Sequence, residues 1–351
     1  MQKLILLSFL LILFNACKKE QGCTDPLAIN YNLEAEEDDG SCVYANNPGN
    51  VSSIVNYTIS DGLLNNFVEC IAVDINDNIW FGTSVGIQMF DGTDWTTYTT
   101  TKGLVNDNVK TITTTASGDV WIGTDFGASQ FDGINWISYD NTNGLVSNQV
   151  KSIDEDANGG IWVGTNQGVS YFEGTTWVSY SSPDLHWSGV YATDFDSNGD
   201  KWFASPLGGI TRFDGSIFTA YDTANGLLSQ YATDIAIDNQ NNKWIGTSDG
   251  MSVLDASNTS YSHYTKMYLL PPPDTLNPVV NIEVDSWGRI WTSIYVGYLA
   301  QGGVAYWDGS IWKDLDISDG LAGPNIKELA IDSDNNIWIA TSTGVSHVII
   351  E

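Results

Sequence analysis

The chain has 351 residues, with 13 Lys and Arg against 43 Asp and Glu, a formal net charge of -30. So acidic a chain offers no electrostatic footprint for phosphate backbones and is repelled by anionic lipid surfaces, which excludes nucleic acid as a partner. Charged residues are only 16% of the total, while there are 14 Trp and 34 Gly, a mix that favours many short strands and tight turns.

In chain order, Met1-Gln2-Lys3 is a short positive segment, and Leu4 to Phe14 is an apolar run interrupted only by Ser8. The run falls short of the roughly 20 residues needed to span a bilayer and reads as the core of a signal peptide. It ends in Phe14-Asn15-Ala16-Cys17, which resembles the lipobox of bacterial lipoproteins, with departures at Phe14, where Leu is usual, and at Asn15. The resemblance implies a signal peptide over 1–16, lipidation of Cys17 and a tether over 17–21; the alternative is a plain secretory signal. Several acyl chains on one residue anchor stably. The expected location is therefore the cell envelope, at the outer membrane and either periplasmic or surface-exposed, with the lipid as the sole membrane contact.

Export permits disulfides. Cys23 and Cys42 flank a polar segment over 22–44 that is too small to hold a core unaided, so a bridge between them is the economical reading. Cys70, beside Ile71 in a β-like run, reads as a small buried filler. The acidic stretch from Glu34 to Asp39 could hold calcium through hard oxygen ligands, with Asp38 and Asp39 as the weak candidates. Its spacing is not that of an EF-hand, and a solvated spacer is the leading reading. The segment resembles a small cysteine-bounded module that recurs near the N-termini of exported bacterial proteins; the resemblance carries no activity. A linker over 45–50 follows.

From residue 51 onward the chain repeats. Trp80, Trp121, Trp162, Trp202, Trp244, Trp291 and Trp338 recur at spacings of 41, 41, 40, 42, 47 and 47. Six residues before each stands Asp74, Thr115, Asp156, Asp196, Asp238, Asp285 and Asp332, so only the second copy departs from Asp. Each unit holds four short β-like runs separated by Asp-, Asn- and Gly-rich turns, which predicts a four-stranded antiparallel meander. One such sheet cannot hide both faces, and packing copies face to face in a ring does so. The predicted fold is all-β: a seven-bladed β-propeller over 51–351. The last unit lacks a fourth strand, and Ile54-Val55-Asn56-Tyr57 precedes the first, so the N-terminal strand should complete the last blade and close the ring. Such a ring is expected to be monomeric.

The units resemble the two-component regulator propeller repeat family. The residues that carry this are Gly144-Leu145, Asn148, Val150 and Ile153, then Gly160-Ile161-Trp162-Val163-Gly164-Thr165, Gly168-Val169 and Phe172. The copies from Gly62 and Gly103 match well; the stretch from Leu185 to Ser188 and the region from Pro271 to Pro278 break the pattern. The resemblance implies periplasmic sensory propellers, some responding to oligosaccharides.

Strand parity puts second-to-third turns and interblade connections on one face, where the variation gathers. His186, Trp187, Tyr231, Tyr268, Tyr295, Tyr298 and Gln301 are the ligand-binding candidates there, suited to a sugar face or an envelope protein partner; folded-back packing of longer loops is the alternative. His186, His263 and His347 form no recognisable catalytic set, and no nucleophile, zinc or phosphate motif is present, so no catalytic residue, enzyme activity or cofactor is expected. The leading expectation is a binding propeller, sensory or accessory and without its own kinase. A scaffolding propeller in an envelope complex is the alternative, and a polysaccharide-acting enzyme the second.

Overall fold

A computed structural model describes residues 21–22, 37–38, 50–267, 277–297 and 300–351. The chain divides into two units, Met1–Pro48 and Gly49–Glu351. In the first, β1 (Gln21–Gly22) and β2 (Glu37–Asp38) pair in parallel. Asp38 lies in that second strand; Cys17, Cys23, Cys42 and Asp39 lie outside the described residues.

The second unit is a seven-bladed propeller of four-stranded antiparallel sheets. Strand β3 (Val51–Tyr57) comes first. Blade one holds β4 (Val68–Val73), β5 (Ile79–Thr83), β6 (Gly86–Phe90) and β7 (Trp95–Tyr98). Blade two holds β8 (Val109–Thr114), β9 (Val120–Thr124), β10 (Gly127–Phe131) and β11 (Trp136–Tyr139), and blade three β12 (Val150–Glu155), β13 (Ile161–Thr165), β14 (Gly168–Phe172) and β15 (Trp177–Tyr180). Blade four holds β16 (Ala192–Phe195), β17 (Lys201–Ser205), β18 (Gly209–Phe213) and β19 (Phe218–Tyr221), and blade five β20 (Ala232–Ile237), β21 (Lys243–Thr247), β22 (Gly250–Leu254) and β23 (Tyr261–Tyr264). Blade six holds β24 (Val279–Val284), β25 (Ile290–Val296), β26 (Gln301–Trp307) and β27 (Trp312–Leu315). Blade seven has only β28 (Ile326–Ile331), β29 (Ile337–Thr341) and β30 (Gly344–Ile350) from its own repeat.

Its fourth strand is β3, which pairs antiparallel with β30 from Val51 opposite Ile350 to Tyr57 opposite Val345. The expected closure is therefore observed, three residues longer at its start than Ile54–Tyr57. Reciprocal bonds extend the seam: Asn50 N–H donates to the Glu351 carbonyl at 2.7 Å, and Glu351 N–H to that of Asn50 at 3.0 Å.

The recurring Asp and Trp form one device. In the turn joining first and second strands, one Asp oxygen accepts two backbone N–H groups and the other accepts the indole N–H of the Trp. In blade five Asp238 Oδ1 accepts from Gln240 N at 2.9 Å and Asn242 N at 2.8 Å, while Oδ2 accepts from Trp244 Nε1 at 2.9 Å. The same indole bond is made by Asp74, Asp156, Asp196, Asp285 and Asp332. Thr115 replaces Asp in blade two and holds its turn through the hydroxyl, which accepts from Asp119 N at 2.9 Å. A buried indole N–H is costly unless paired, so the Asp both shapes the turn and permits the Trp to be buried.

Each Trp then packs within and between blades. Trp80 stacks on Tyr98 at 5.7 Å and meets Phe131 of blade two edge-on at 6.2 Å. Trp121 stacks on Tyr139 at 5.2 Å and contacts Phe172 of blade three at 5.8 Å. At the seam Tyr57 stacks on Trp338 at 5.6 Å and reaches Phe90 of blade one at 5.5 Å. The N-terminal strand thus supplies the tyrosine that blades one to five take from their own fourth strands, where blade six has Leu315. Pairs of this kind contribute about 0.5–1.5 kcal/mol each beyond area burial.

In five blades the second-to-third turn is fixed by a Thr whose hydroxyl donates to a glycine carbonyl, as Thr165 does to Gly168 at 2.9 Å. Gly168 has φ +151, and a Cβ there would come within 2.2 Å of the Tyr180 carbonyl, so only glycine fits. Cys70 is buried and unpaired, its sulfur against Gly82 of the next strand, as expected of a filler.

Replacing Asp238 with Ala leaves the Trp244 indole and two turn amides without their acceptor. The expected loss is about 1–3 kcal/mol, read as a lower urea midpoint. An equal midpoint would remove the assigned role of the repeated Asp.

Candidate functional site

Interblade connections and second-to-third turns share one face, and blade four presents an apolar surface there. The turn joining β17 to β18 is Pro206-Leu207-Gly208. Leu207 is 58% exposed at φ +94, a conformation unfavourable for a bulky side chain. Trp187 lies on one side of this turn; a Cβ on Gly208 would come within 2.4 Å of its own Cβ, so glycine makes room for the tryptophan. Tyr231 lies on the other side, in an antiparallel bridge with Pro206. Gln230 fixes that approach, its carbonyl accepting from Leu207 N at 3.2 Å and Gly209 N at 2.9 Å. Trp187 is 46% exposed and Tyr231 45%. Tyr191, which donates its N–H to the Ala204 carbonyl, is 41% exposed. Three aromatic rings and a leucine that the fold leaves in water therefore border one turn and its strand.

Polar groups edge this surface. His186, exposed, has Nε2 3.9 Å from Asp222 Oδ2. Lys151 of blade three has Nζ 3.4 Å from Asp125 Oδ1 and 5.9 Å from the centre of the Tyr191 ring. Of the residues expected from sequence, the structure brings Trp187 and Tyr231 to the same turn, with His186 adjacent in sequence. Tyr295 and Gln301 lie in the long hairpin of blade six, Tyr295 half-buried over Gly302 and Gln301 exposed. Tyr268 and Tyr298 lie outside the described residues. Sequence reasoning missed Tyr191 and Leu207. An aromatic before the inner strand of blade four, where blades two and three carry Lys110 and Lys151, was the available signal for the first.

The seven inner strands surround a central channel with a cavity of about 440 Å³. Asp154, Asp194, Asp234, Glu283 and Glu328 line it. Three of them staple neighbouring blades, whose inner strands otherwise share no sheet. Asp194 of blade four accepts from Ile237 N of blade five at 2.7 Å. Asp234 of blade five accepts from Ile282 N of blade six at 2.6 Å and from Asn281 Nδ2 at 3.0 Å. Asn281 in turn accepts from Leu329 N of blade seven at 2.9 Å, and Glu328 of blade seven accepts from Ile71 N of blade one at 2.7 Å. Between blades one and two a hydroxyl serves instead, Thr114 Oγ1 donating to the Val73 carbonyl at 2.7 Å.

Burial, with repulsion from neighbouring acids, pushes all five carboxyls up. Asp194 and Asp234 reach about 7 and Glu328 about 8, with burial the largest cause in each. Asp154 and Glu283 are raised well above the ordinary range, again by burial first and then by the other channel carboxylates.

The three histidines do not converge. His347 stacks on Trp338 at 3.8 Å and sits 3.4 Å from Asp332 within blade seven. His263, on the outer strand of blade five, is hydrogen-bonded to Ser252 at 3.1 Å.

These features define a seven-bladed propeller with an apolar rim on one face and an acidic channel. Residues 62–84, 144–167 and 320–343 match the family model described as two component regulator propeller. No curated protein matches the chain. Among solved structures, one described as the extracellular domain of a hybrid two component system from B. thetaiotaomicron aligns with TM-score 0.69 and 20% identity, over 84% of this chain and 41% of that one. The chain thus spans about two fifths of that protein. Virginiamycin B lyase from Staphylococcus aureus aligns with TM-score 0.67 and 16% identity, over 85% of this chain and 99% of that one. PorZ, a surface component of the type-IX secretion system of Porphyromonas gingivalis, aligns with TM-score 0.65 and 18% identity, over 81% and 46%. At such identities the likeness establishes the propeller fold.

The raised channel carboxyls set a pH dependence. A carboxyl whose folded pKa exceeds its unfolded value of about 4 holds its proton longer in the native state, so its contribution is full below pH 4 and lost as pH rises towards 8. Exposed turn aspartates such as Asp91, Asp132 and Asp214 are lowered instead, by backbone N–H donors, and their contribution is lost as pH falls below 4. Urea midpoints should therefore be highest in mildly acidic buffer and fall between pH 5 and pH 8. Asp154→Asn should flatten that fall; a slope unchanged in the variant would refute the assignment.

Proposed function

We propose that this protein is an exported, lipid-anchored binding propeller that takes an oligosaccharide on the face carrying the interblade connections, as a sensory or accessory component without chemistry of its own. The observation that carries this reading is the exposure of Trp187, Tyr191 and Tyr231 around the turn holding Leu207. Of the 14 tryptophans only Trp187 is exposed, and leaving it and the two tyrosine rings in water costs apolar burial that an occupant would restore. Aromatic faces suit the apolar faces of pyranose rings, and the edging His186, Asp222 and Lys151 offer donors and acceptors for hydroxyls. The match of three repeats to the two component regulator propeller model supports a sensory role. Among the described residues no helix is long and apolar enough to cross a membrane, so the anchor assigned to Cys17 carries the membrane attachment in this reading.

One observation favours binding over turnover: the three histidines sit in separate places, two of them engaged by blade residues. The lyase among the structural neighbours acts through its own residues, and its fold alone transfers no activity.

Glycan-array screening of the purified protein tests the proposal. Binding to a glycan class is expected, with Trp187→Ala and Tyr231→Ala each weakening it at least tenfold while the melting temperature holds within a few degrees. A stable protein partner with no glycan affinity would replace this reading with the scaffolding alternative, and polysaccharide turnover would replace it with the enzymatic one.

A further inference from the structure

The channel carboxylates divide into two kinds. Asp194 and Asp234 each spend both oxygens on N–H donors: Asp194 on Phe195 and Ile237, Asp234 on Ile235, Ile282 and Asn281. These are structural staples. Glu328 spends only Oε2, on Ile71. Asp154 and Glu283 have no hydrogen-bond partner or ion pair among the described residues. Asp154 is half-buried in the channel wall, and its Oδ2 exposes less than 1 Å² and accepts nothing. An enclosed, unpartnered acceptor such as Asp154 Oδ2 is costly, and half-buried Glu283 lines the same cavity without a partner among the described residues. Ala72, Thr113, Ala236 and Ala330 occupy the same register position in four of the other blades, opposite the repeated Trp, and Asp194 occupies it in blade four.

Register also sets their depth. Asp154, Asp194 and Glu283 lie opposite Trp162, Trp202 and Trp291, whereas Asp234 and Glu328 lie opposite Gly246 and Ala340. The two tiers are two residues apart along the strand, a rise of about 7 Å. Spare acceptors therefore exist at two levels of one channel, on blades three and six in one tier and on blade seven in the other. None of the described residues groups as a metal site. What fits spare carboxylates at two levels is an elongated ligand with a cationic hydrogen-bond donor at each end.

We propose that the central channel binds a linear aliphatic diamine or polyamine, one ammonium held by Asp154 and Glu283 and a second by Glu328. The rise between tiers is within the reach of putrescine and cadaverine. Ammonium groups supply the donors that Asp154 and Glu283 lack and offset the mutual repulsion of the five acids. Burial raises these carboxyls, and an ammonium beside them favours their ionised form, so binding is coupled to proton release. Affinity therefore rises with pH while the amine stays charged. Tyr191 and Lys151 of the rim also line this cavity, but the acids proposed to hold the amine are not rim ligands, so the acid variants here and the Trp187 and Tyr231 variants test the two readings separately.

Isothermal titration calorimetry of the purified full chain with putrescine and spermidine tests it, at constant ionic strength and in buffers of different ionisation enthalpy. Expected are one site per chain, net proton release, tighter binding at pH 8.5 than at pH 5.5, and weaker binding of butylamine. The double variant Asp154→Asn with Glu283→Gln should bind at least tenfold more weakly, while Asp94→Asn, an exposed turn acid, should bind as the parent does. Equal affinity of the double variant, equal affinity for butylamine, or no saturable heat at millimolar putrescine would each overturn the proposal. If the double variant fails to fold, the butylamine comparison on the parent chain decides.

Discussion

Seven small sheets, each apolar on both faces, can be dry only if every face meets another, and that requires a closed ring. Everything else in the propeller follows from this constraint. An open row of blades would leave Tyr57 and Trp338 on one side, and Phe81, Phe90 and Trp95 on the other, facing water. In the ring they form one aromatic contact across the seam. The chain meets the constraint by giving blade seven a strand from the start of the propeller, so that the closing contact is a full ladder of backbone hydrogen bonds.

The acidity of the chain finds a local explanation in the same architecture. Aspartate is placed where backbone N–H groups would otherwise be orphaned: in the first turn of six blades beneath the tryptophan, in the turns before the outer strands, and across the gaps between inner strands. Turn chemistry and interblade stapling thus spend many of the carboxylates that composition alone assigns to solubility. Lys243 shows the converse. Its fully buried ammonium lies 4.9 Å over the Trp202 ring and 3.7 Å from Asp196, so one of the few cations is used to tie blade five to blade four.

The architecture was legible because it is periodic. The Trp spacing, the Asp six residues earlier and the unmatched strand at Ile54–Tyr57 are local signals whose meaning does not depend on distant contacts. The pairing of that Asp with that Trp was visible as a spacing but not as a hydrogen bond, since it needs the hairpin to bring the two together. The rim was legible in part. Trp187 and Tyr231 stand out as aromatics in polar connections, whereas Leu207 takes its exposure from a left-handed turn that sequence does not mark. The channel was missed. Asp154, Asp194 and Glu283 each occupy a position where sister blades carry small residues, but a carboxylate in a short strand reads as a solvent-facing residue until the ring shows that this edge faces the axis.

The central claim is that residues 51–57 complete the last blade and thereby hold the ring. The most direct measurement compares equilibrium urea unfolding of the chain beginning at residue 50 with the chain beginning at residue 59. The account predicts one cooperative transition for the longer chain. For the shorter it predicts a much lower midpoint with exposed aromatic surface that binds a hydrophobic dye. Coincident transitions for the two would contradict it.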